Sequence, residues 1–342
     1  MKGGTGSGAC PALFMDFASD RYSKMWYRKC GNSGLRLPAI SIGFWQTLGE
    51  PGHEWLCRDI MVHAFNKGIN HFDFANNYGP PPGNAELVAG KILKEFPRDE
   101  MIISTKAGFR MWDGPHGDGG SKKYLIASLD QSLKRLGLDY VDIFYHHRHD
   151  PDTPIEETME ALDLIVKQGK AIYAGVSNYL GAEFHRAVAV TRDRRLTRLT
   201  IHQPRYNMLM RLPETYLLPT INETGVGVIA YCPLAQGILT DRYLNGLPVD
   251  SRQGKNNERG AQWFEDRKRE GVWGKVAALN DLAAKRGQTL AQMALRWCLR
   301  DERLTSVLIG VSRVEQLTEN MRAIDGPGFT GEELLLIDKI LG

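Results

Sequence analysis

An α/β fold of the (β/α)8, or TIM-barrel, class is expected for this chain of 342 residues, on three grounds. Short apolar runs alternate eight times with amphipathic helical patterns between residues 39 and 308, close to the usual barrel size of about 250 residues. The rival open nucleotide-binding sheet usually carries G-x-G-x-x-G after its first strand, and no such element follows any of these runs. No linker-like shift in composition interrupts the alternation, so residues 25–342 read as one barrel domain behind a Gly/Ser-rich tail, 1–24, expected to be flexible.

A hairpin comes first, with strands at 26–29 and 35–38 around Gly31-Asn32-Ser33-Gly34, because Gly and Asn tolerate the positive φ of tight turns. The barrel strands are expected at 39–43, 71–74, 101–106, 141–146, 171–176, 199–203, 227–231 and 305–308, apolar as strands buried on both faces must be. Helices with apolar residues at i, i+3/4 and i+7 are expected at 55–67, 85–95, 122–135, 155–168, 182–190, 214–222 and 290–299, one after every strand but the last. Two segments exceed this plan. One is a long loop insertion at 240–272, rich in Gly, Arg, Asn and Asp, after the seventh strand; the other is a C-terminal helix within 330–342.

The chain has 43 Lys and Arg against 40 Asp and Glu, a net charge of +3, with 42% hydrophobic residues. These values exclude disorder, and the absence of clustered excess base argues against nucleic acid as a partner. The one basic run, RDRRLTR at 192–198, reads as a solvated helix end. No apolar stretch nears the about 20 residues of a membrane-spanning helix. Five cysteines, Cys10, Cys30, Cys57, Cys232 and Cys298, are odd in number and lack paired spacing, which fits a reducing, cytoplasmic setting.

Barrel enzymes carry their chemistry at the C-terminal ends of the strands. The second strand ends in HFDFANNYG, with Asp73 and Tyr78; the third ends in STKAG, with Lys106; the fourth ends in IFYHHR, with His146 and His147. A tyrosine hydroxyl titrates near 10, and a neighbouring ammonium such as Lys106 would lower that value. Asp73 could keep a buried Lys106 charged, and a neutral histidine could hydrogen-bond a carbonyl oxygen under reduction. A Schiff-base lysine and a zinc site built on His146, His147, His149 and Asp150 are weaker readings. The carboxylate disfavours a neutral lysine nucleophile, and adjacent strand residues face opposite ways, so no metal is expected.

These motifs resemble those of the aldo-keto reductases, from about Tyr27 onward. The resemblance implies a catalytic set of Asp73, Tyr78, Lys106 and His147, with the family spacing from YVD selecting His147 and leaving His146 structural. It implies cofactor contacts at Gly43, Phe44 and Trp45 after the first strand, at Asp73, at Ser177 and Asn178 in GVSNY, and at Gln203 in HQPRYN. AYCPLAQGIL adds Tyr231, Cys232, Leu234, Gln236 and Gly237; LIGVSRVEQLTEN adds Gly310, Ser312, Arg313, Gln316, Glu319 and Asn320. The Arg313 guanidinium suits a ribose 2′-phosphate, so NADPH (NADP+) is expected in preference to NADH.

Within the family, NNYGPPPGNAE, STKAGFRMW, FYHHRHD and the 240–272 insertion most resemble the bacterial L-glyceraldehyde 3-phosphate reductases, and more distantly the potassium-channel beta subunits. The nearer group implies NADPH-dependent reduction of small aldehydes, L-glyceraldehyde 3-phosphate and methylglyoxal among them, in a homo-oligomer of four or eight barrels. The alternative is a non-catalytic NADPH-binding regulatory subunit. Substrate contacts are expected from Trp45, Tyr78, Phe109, Arg110, Trp112 and Arg148. Arg110 or Arg148 could receive a phosphate, unless local acids occupy them, Asp150 or Asp152 in the case of Arg148.

Overall fold

The computed structural model describes residues 16–342. A two-stranded antiparallel hairpin, β1 (Tyr27–Lys29) and β2 (Arg36–Pro38), precedes the barrel. The alternation then runs β3 (Ile40–Gly43), α1 (Glu54–Asn66), β4 (His71–Asp73), α2 (Asn84–Leu93), β5 (Ile102–Ala107), α3 (Lys122–Leu136), β6 (Val141–His146) and α4 (Ile155–Lys167). It continues through β7 (Ala171–Ser177), α5 (Gly181–Asp193), β8 (Leu199–Gln203), α6 (Pro213–Tyr216), α7 (Ile221–Thr224), β9 (Gly227–Tyr231), α8 (Asn257–Arg269), α9 (Val272–Lys285), α10 (Leu290–Leu299), β10 (Leu304–Ile309), α11 (Val314–Met321) and α12 (Gly331–Leu341). Strands β3 to β10 pair in parallel and in sequence order, and β10 returns to β3, Val307 opposite Ile40, to close the barrel. The expected (β/α)8 fold, its hairpin and its C-terminal helix are all present.

The barrel strands are largely buried on both faces, which is why they read as apolar runs. The outer core joins strands to helices, as in Phe72, Phe65 and Phe96. A second cluster fills the barrel's axis and joins Ile143, Tyr145, Ile201, Ile229 and Leu308 to Cys30, Leu35 and Leu37 of the hairpin. The hairpin is therefore a plug under the barrel, opposite the strand ends that carry the polar site. Its turn needs glycine at Gly31, where φ is +53° and a Cβ would lie 2.3 Å from the Gly225 carbonyl oxygen. Gly175 likewise leaves room for the Tyr145 ring, which a Cβ would meet at 2.6 Å. Several helix starts carry the expected caps: Ser121 accepts from the Tyr124 amide, and Thr289 with Gln292 and Thr330 with Glu333 form capping boxes.

Four expectations need correction. Residues 1–15 of the expected tail lie outside the described residues, but the remainder is docked rather than loose. Phe17 packs on Phe65 and Phe96, and the Ala18 amide donates to Asn66 Oδ1 at 2.7 Å. The helix expected at 214–222 is two separate turns, α6 and α7, because Pro219 between them removes a backbone donor and restricts its neighbour. The insertion is no simple loop: it ends in α8, and α9 follows, with Trp263, Phe264, Trp273 and Tyr243 packed together beneath them. Finally, the last barrel strand does have its helix, α11.

Candidate active site

At the C-terminal rim, β4, β5 and β6 bring the four expected catalytic residues together. Period-two alternation turns Lys106 of β5 inward, where it is fully buried, ion-paired with the equally buried Asp73 and donating to the Phe74 carbonyl at 2.7 Å. Its Nζ also donates to the Tyr78 hydroxyl at 3.4 Å. The His147 ring stands edge-on to Tyr78, with ring centres 5.8 Å apart, and to Phe109 at 4.7 Å. His146, last residue of β6, turns the other way and bonds the Tyr179 hydroxyl at 2.6 Å through Nδ1.

Burial sets the electrostatics of this cluster. The Lys106 ammonium titrates below its usual range because it is desolvated, although Asp73 works in the opposite sense. Burial holds His147 well below the ordinary imidazole value, helped by the Lys106 charge, so the ring is neutral and its Nδ1 has no hydrogen-bond partner among the described residues. For Tyr78 a neighbouring ammonium predicts a lowered value, and the structure reverses that sign. Burial, then the Asp73 carboxylate, raise the phenol well above 10. Lys106 cannot dominate because Asp73 balances its charge at closer range. The phenol therefore keeps its proton, as a proton donor must.

Beside this cluster lies a ring of amides. Asn178 adopts a left-handed φ of 54°, donates to the His147 carbonyl at 2.9 Å and accepts from the Tyr231 hydroxyl at 2.7 Å. A non-glycine residue held there is the sort of local strain found at functional positions. Ser177 donates to the Gln203 carbonyl at 2.8 Å, and Gln203 Nε2 reaches Asp73 at 3.4 Å. Cys232 and Gln236 also take positive φ, in the loop that carries Leu234 and Gly237. Gly43 pairs with Asp73 at the end of β3, and Trp45 is exposed just beyond it. The Phe44 side chain is fully buried against Phe72 and Phe74, which leaves its backbone as the part that can face a ligand.

At the start of α11, Gln316 accepts from the Ser312 amide at 2.9 Å, and Glu319 accepts from Gln292. Arg313 is exposed and its guanidinium forms no hydrogen bond or ion pair among the described residues, and the buried Asn320 has an amide nitrogen with no partner. Open donors beside the exposed Gly310 fit a ligand rich in acceptors, as a nucleotide phosphate is. Of the expected substrate residues, Tyr78 and Phe109 adjoin His147, and the Arg148 guanidinium lies 4.9 Å over the Phe109 ring. Arg110 is exposed and paired with Asp113, and Trp112 packs on Tyr124. Arg148 donates to Gly108 O at 2.8 Å and pairs with Asp118 at 2.9 Å, not with Asp150 or Asp152.

Two participants escaped sequence reasoning. Ser104 donates to Asp73 Oδ1 at 2.5 Å, and its position two residues before Lys106, on the same strand face, was the available signal. Arg252 of the insertion lies over the Trp45 ring at 5.1 Å, a long-range contact with no local signature.

Residues 39–341 match the model of the aldo/keto reductase family. The chain is 51% identical over 324 residues to the L-glyceraldehyde 3-phosphate reductase of Escherichia coli (strain K12), covering 94% of this chain and 93% of the relative. It is 36% identical over 308 residues to a probable voltage-gated potassium channel subunit beta of Arabidopsis thaliana, covering 88% of this chain and 92% of that one. Among solved structures, a thermostable aldo-keto reductase in complex with the inhibitor epalrestat superposes with a TM-score of 0.73 at 27% identity, covering 92% of this chain and all of the other.

Proposed function

The chain belongs to the aldo/keto reductase family and is an oxidoreductase, and from that premise we propose that it reduces small aldehydes to alcohols with NADPH, L-glyceraldehyde 3-phosphate, methylglyoxal or both being among them. The observation that carries the reading is one contact set: a protonated Tyr78 hydroxyl, 3.4 Å from a buried Lys106 that Asp73 neutralises, beside a neutral His147.

Bound NADPH would supply the hydride to the carbonyl carbon. Tyr78 donates its proton to the carbonyl oxygen as negative charge develops there, and Lys106 favours the phenolate left behind. His147, kept uncharged by burial, orients that oxygen by a hydrogen bond and does not compete as an acid. Asn178, Ser177 and Gln203 would hold the nicotinamide carboxamide, Tyr231 would border its ring, and Arg313 with Asn320 would hold the adenosine end. The unpaired guanidinium of Arg313 supports the choice of NADPH over NADH.

A homo-oligomer of four or eight barrels in the cytoplasm belongs to the same proposal. Cys30, Cys57, Cys232 and Cys298 stand as free thiols among the described residues, which suits a reducing compartment. The test follows NADPH oxidation with L-glyceraldehyde 3-phosphate, the unphosphorylated aldehyde and methylglyoxal. Preference for the phosphorylated aldehyde supports the specific reading, and comparable rates on all three indicate a broad aldehyde reductase. Tight NADPH binding without turnover on any of them would favour the regulatory-subunit reading.

A further inference from the structure

The Ser104 bond to Asp73 is the last link of a longer chain. Ser306 of β10 lies 2.7 Å from Ser41 of β3, oxygen to oxygen. Ser41 lies 2.8 Å from His71 Nδ1, and His71 Nε2 lies 2.9 Å from Ser104 Oγ, which donates to Asp73 at 2.5 Å. All five side chains are fully buried. The chain crosses four neighbouring strands inside the barrel, beneath the rim, and ends on the carboxylate that holds Lys106.

Its direction follows from what each group can do. An ionised carboxylate only accepts, so the Ser104 proton points to Asp73 and its oxygen is left to accept from His71. His71 must then carry its proton on Nε2, which leaves Nδ1 to accept from Ser41. With the Ser41 proton committed to His71, Ser306 donates to Ser41, a shorter contact than its alternative at 3.4 Å to the Ala39 carbonyl. Every donor points one way, and such aligned chains polarise one another. Burial agrees, for it lowers the His71 pKa to about 4 and so keeps the ring neutral with one fixed tautomer.

We propose that Ser104 and His71 are positioning residues of the reaction, a directed hydrogen-bond chain that fixes the Asp73 carboxylate toward Lys106 and draws off part of its charge. The proposal rests on the reductase reading for its kinetic consequence but not for the chain itself. Other ionisable groups also face the cluster. Tyr145 of β6 lies below it, with its ring 5.7 Å from the Lys106 Nζ, and Glu86 of α2 acts on Lys106. His147 stands across from it, and Tyr231, at the end of β9, and Cys232, just after it, act on Tyr78. None of these touches Asp73 Oδ1, whose only other donor among the described residues is Gln203 Nε2 at the longer distance of 3.4 Å, so removal of the Ser104 hydroxyl takes away the chain's own bond and leaves that one in place.

Two measurements test it. Nitrogen-15 NMR of the full-length chain, with the His71 signal assigned by its loss in His71→Asn, should show a neutral Nε2–H tautomer at neutral pH whose shifts move in Ser104→Ala. An Nδ1–H tautomer, or titration near 6.5, overturns the chain whatever the enzyme does. In steady-state kinetics with NADPH and an aldehyde, Ser104→Ala should lower kcat about tenfold while KM and NADPH affinity stay within about twofold. The basic limb of the kcat profile should move upward, because an unshared Asp73 charge holds the Tyr78 proton more tightly, and Ser104→Thr should restore both. Unchanged kcat and limb in Ser104→Ala, or a loss of NADPH affinity equal to the loss of kcat, would overturn the positioning role. Absence of turnover in the unsubstituted chain would instead count against the reductase reading, with the NMR result still deciding the chain.

Discussion

Tyr78, Lys106 and Asp73 act as one unit because each is buried on terms set by the others. Lys106 without Asp73 would be an uncompensated buried cation, and the reverse holds for the carboxylate. Lys106→Met should therefore cost about 3–5 kcal/mol of stability as well as activity. Adding Asp73→Asn should recover part of the stability and none of the turnover, which chemical denaturation and NADPH oxidation would read as a double-mutant cycle. Full additivity of the two stability losses would contradict the pairing. His147 yields a pH prediction. Its pKa lies well below 6.5 in the fold, so it should add no limb to the kcat profile between about pH 6 and about pH 8. An apparent pKa near 6.5 that disappears in His147→Gln would show that the ring titrates in the working range. Asp73, Lys106 and the His146-His147 pair were legible at strand ends and Tyr78 in the loop beyond one, while the choice of His147 came from the family resemblance and the sign of the Tyr78 shift was not legible at all. Charge is visible in a sequence, whereas depth of burial belongs to the fold.

The barrel strands were the most legible elements, since burial on both faces writes itself into composition. What surrounds the seventh and eighth strands was not. Helix α8, NERGAQWFEDRKR, buries only Gly260 among its residues, so it has no apolar stripe to recognise and is held by Trp263 and Phe264 against Trp273. Arg252, from the same insertion, reaches the Trp45 ring across a wide gap in sequence. The hairpin shows the opposite case, a small element with a large structural duty. Leu37 is fully buried in the cluster at the barrel's closed end. Leu37→Ala should cost about 2–5 kcal/mol in denaturant unfolding and leave kcat unchanged, because the plug and the site lie at opposite ends of the strands. A large fall in kcat in a fully folded variant would mean that the two ends are coupled.

For the molecule as a whole, buried histidines tie stability to pH. Burial lowers His71 and His146 to about 4 and His202 to about 3, against an ordinary 6.5. Between those values the unfolded chain binds protons that the folded chain does not, so stability is retained above about 6.5 and lost as pH falls toward 4. For a shift of that size the loss is about 3 kcal/mol per histidine. Unfolding temperature should drop steeply from pH 7 to pH 5. His202→Phe, whose ring would take the place of the imidazole now stacked 4.8 Å from Phe184, should reduce the slope. A slope unaffected by that substitution would assign the pH dependence to other groups. The central claim, that the rim cluster is a proton donor set for aldehyde reduction, is tested most directly at Tyr78. In Tyr78→Phe, kcat for NADPH oxidation by L-glyceraldehyde 3-phosphate should fall by roughly a thousandfold, with NADPH affinity by fluorescence titration kept within a few-fold. Near-normal turnover in that variant, or parallel loss of turnover and NADPH binding, would contradict it.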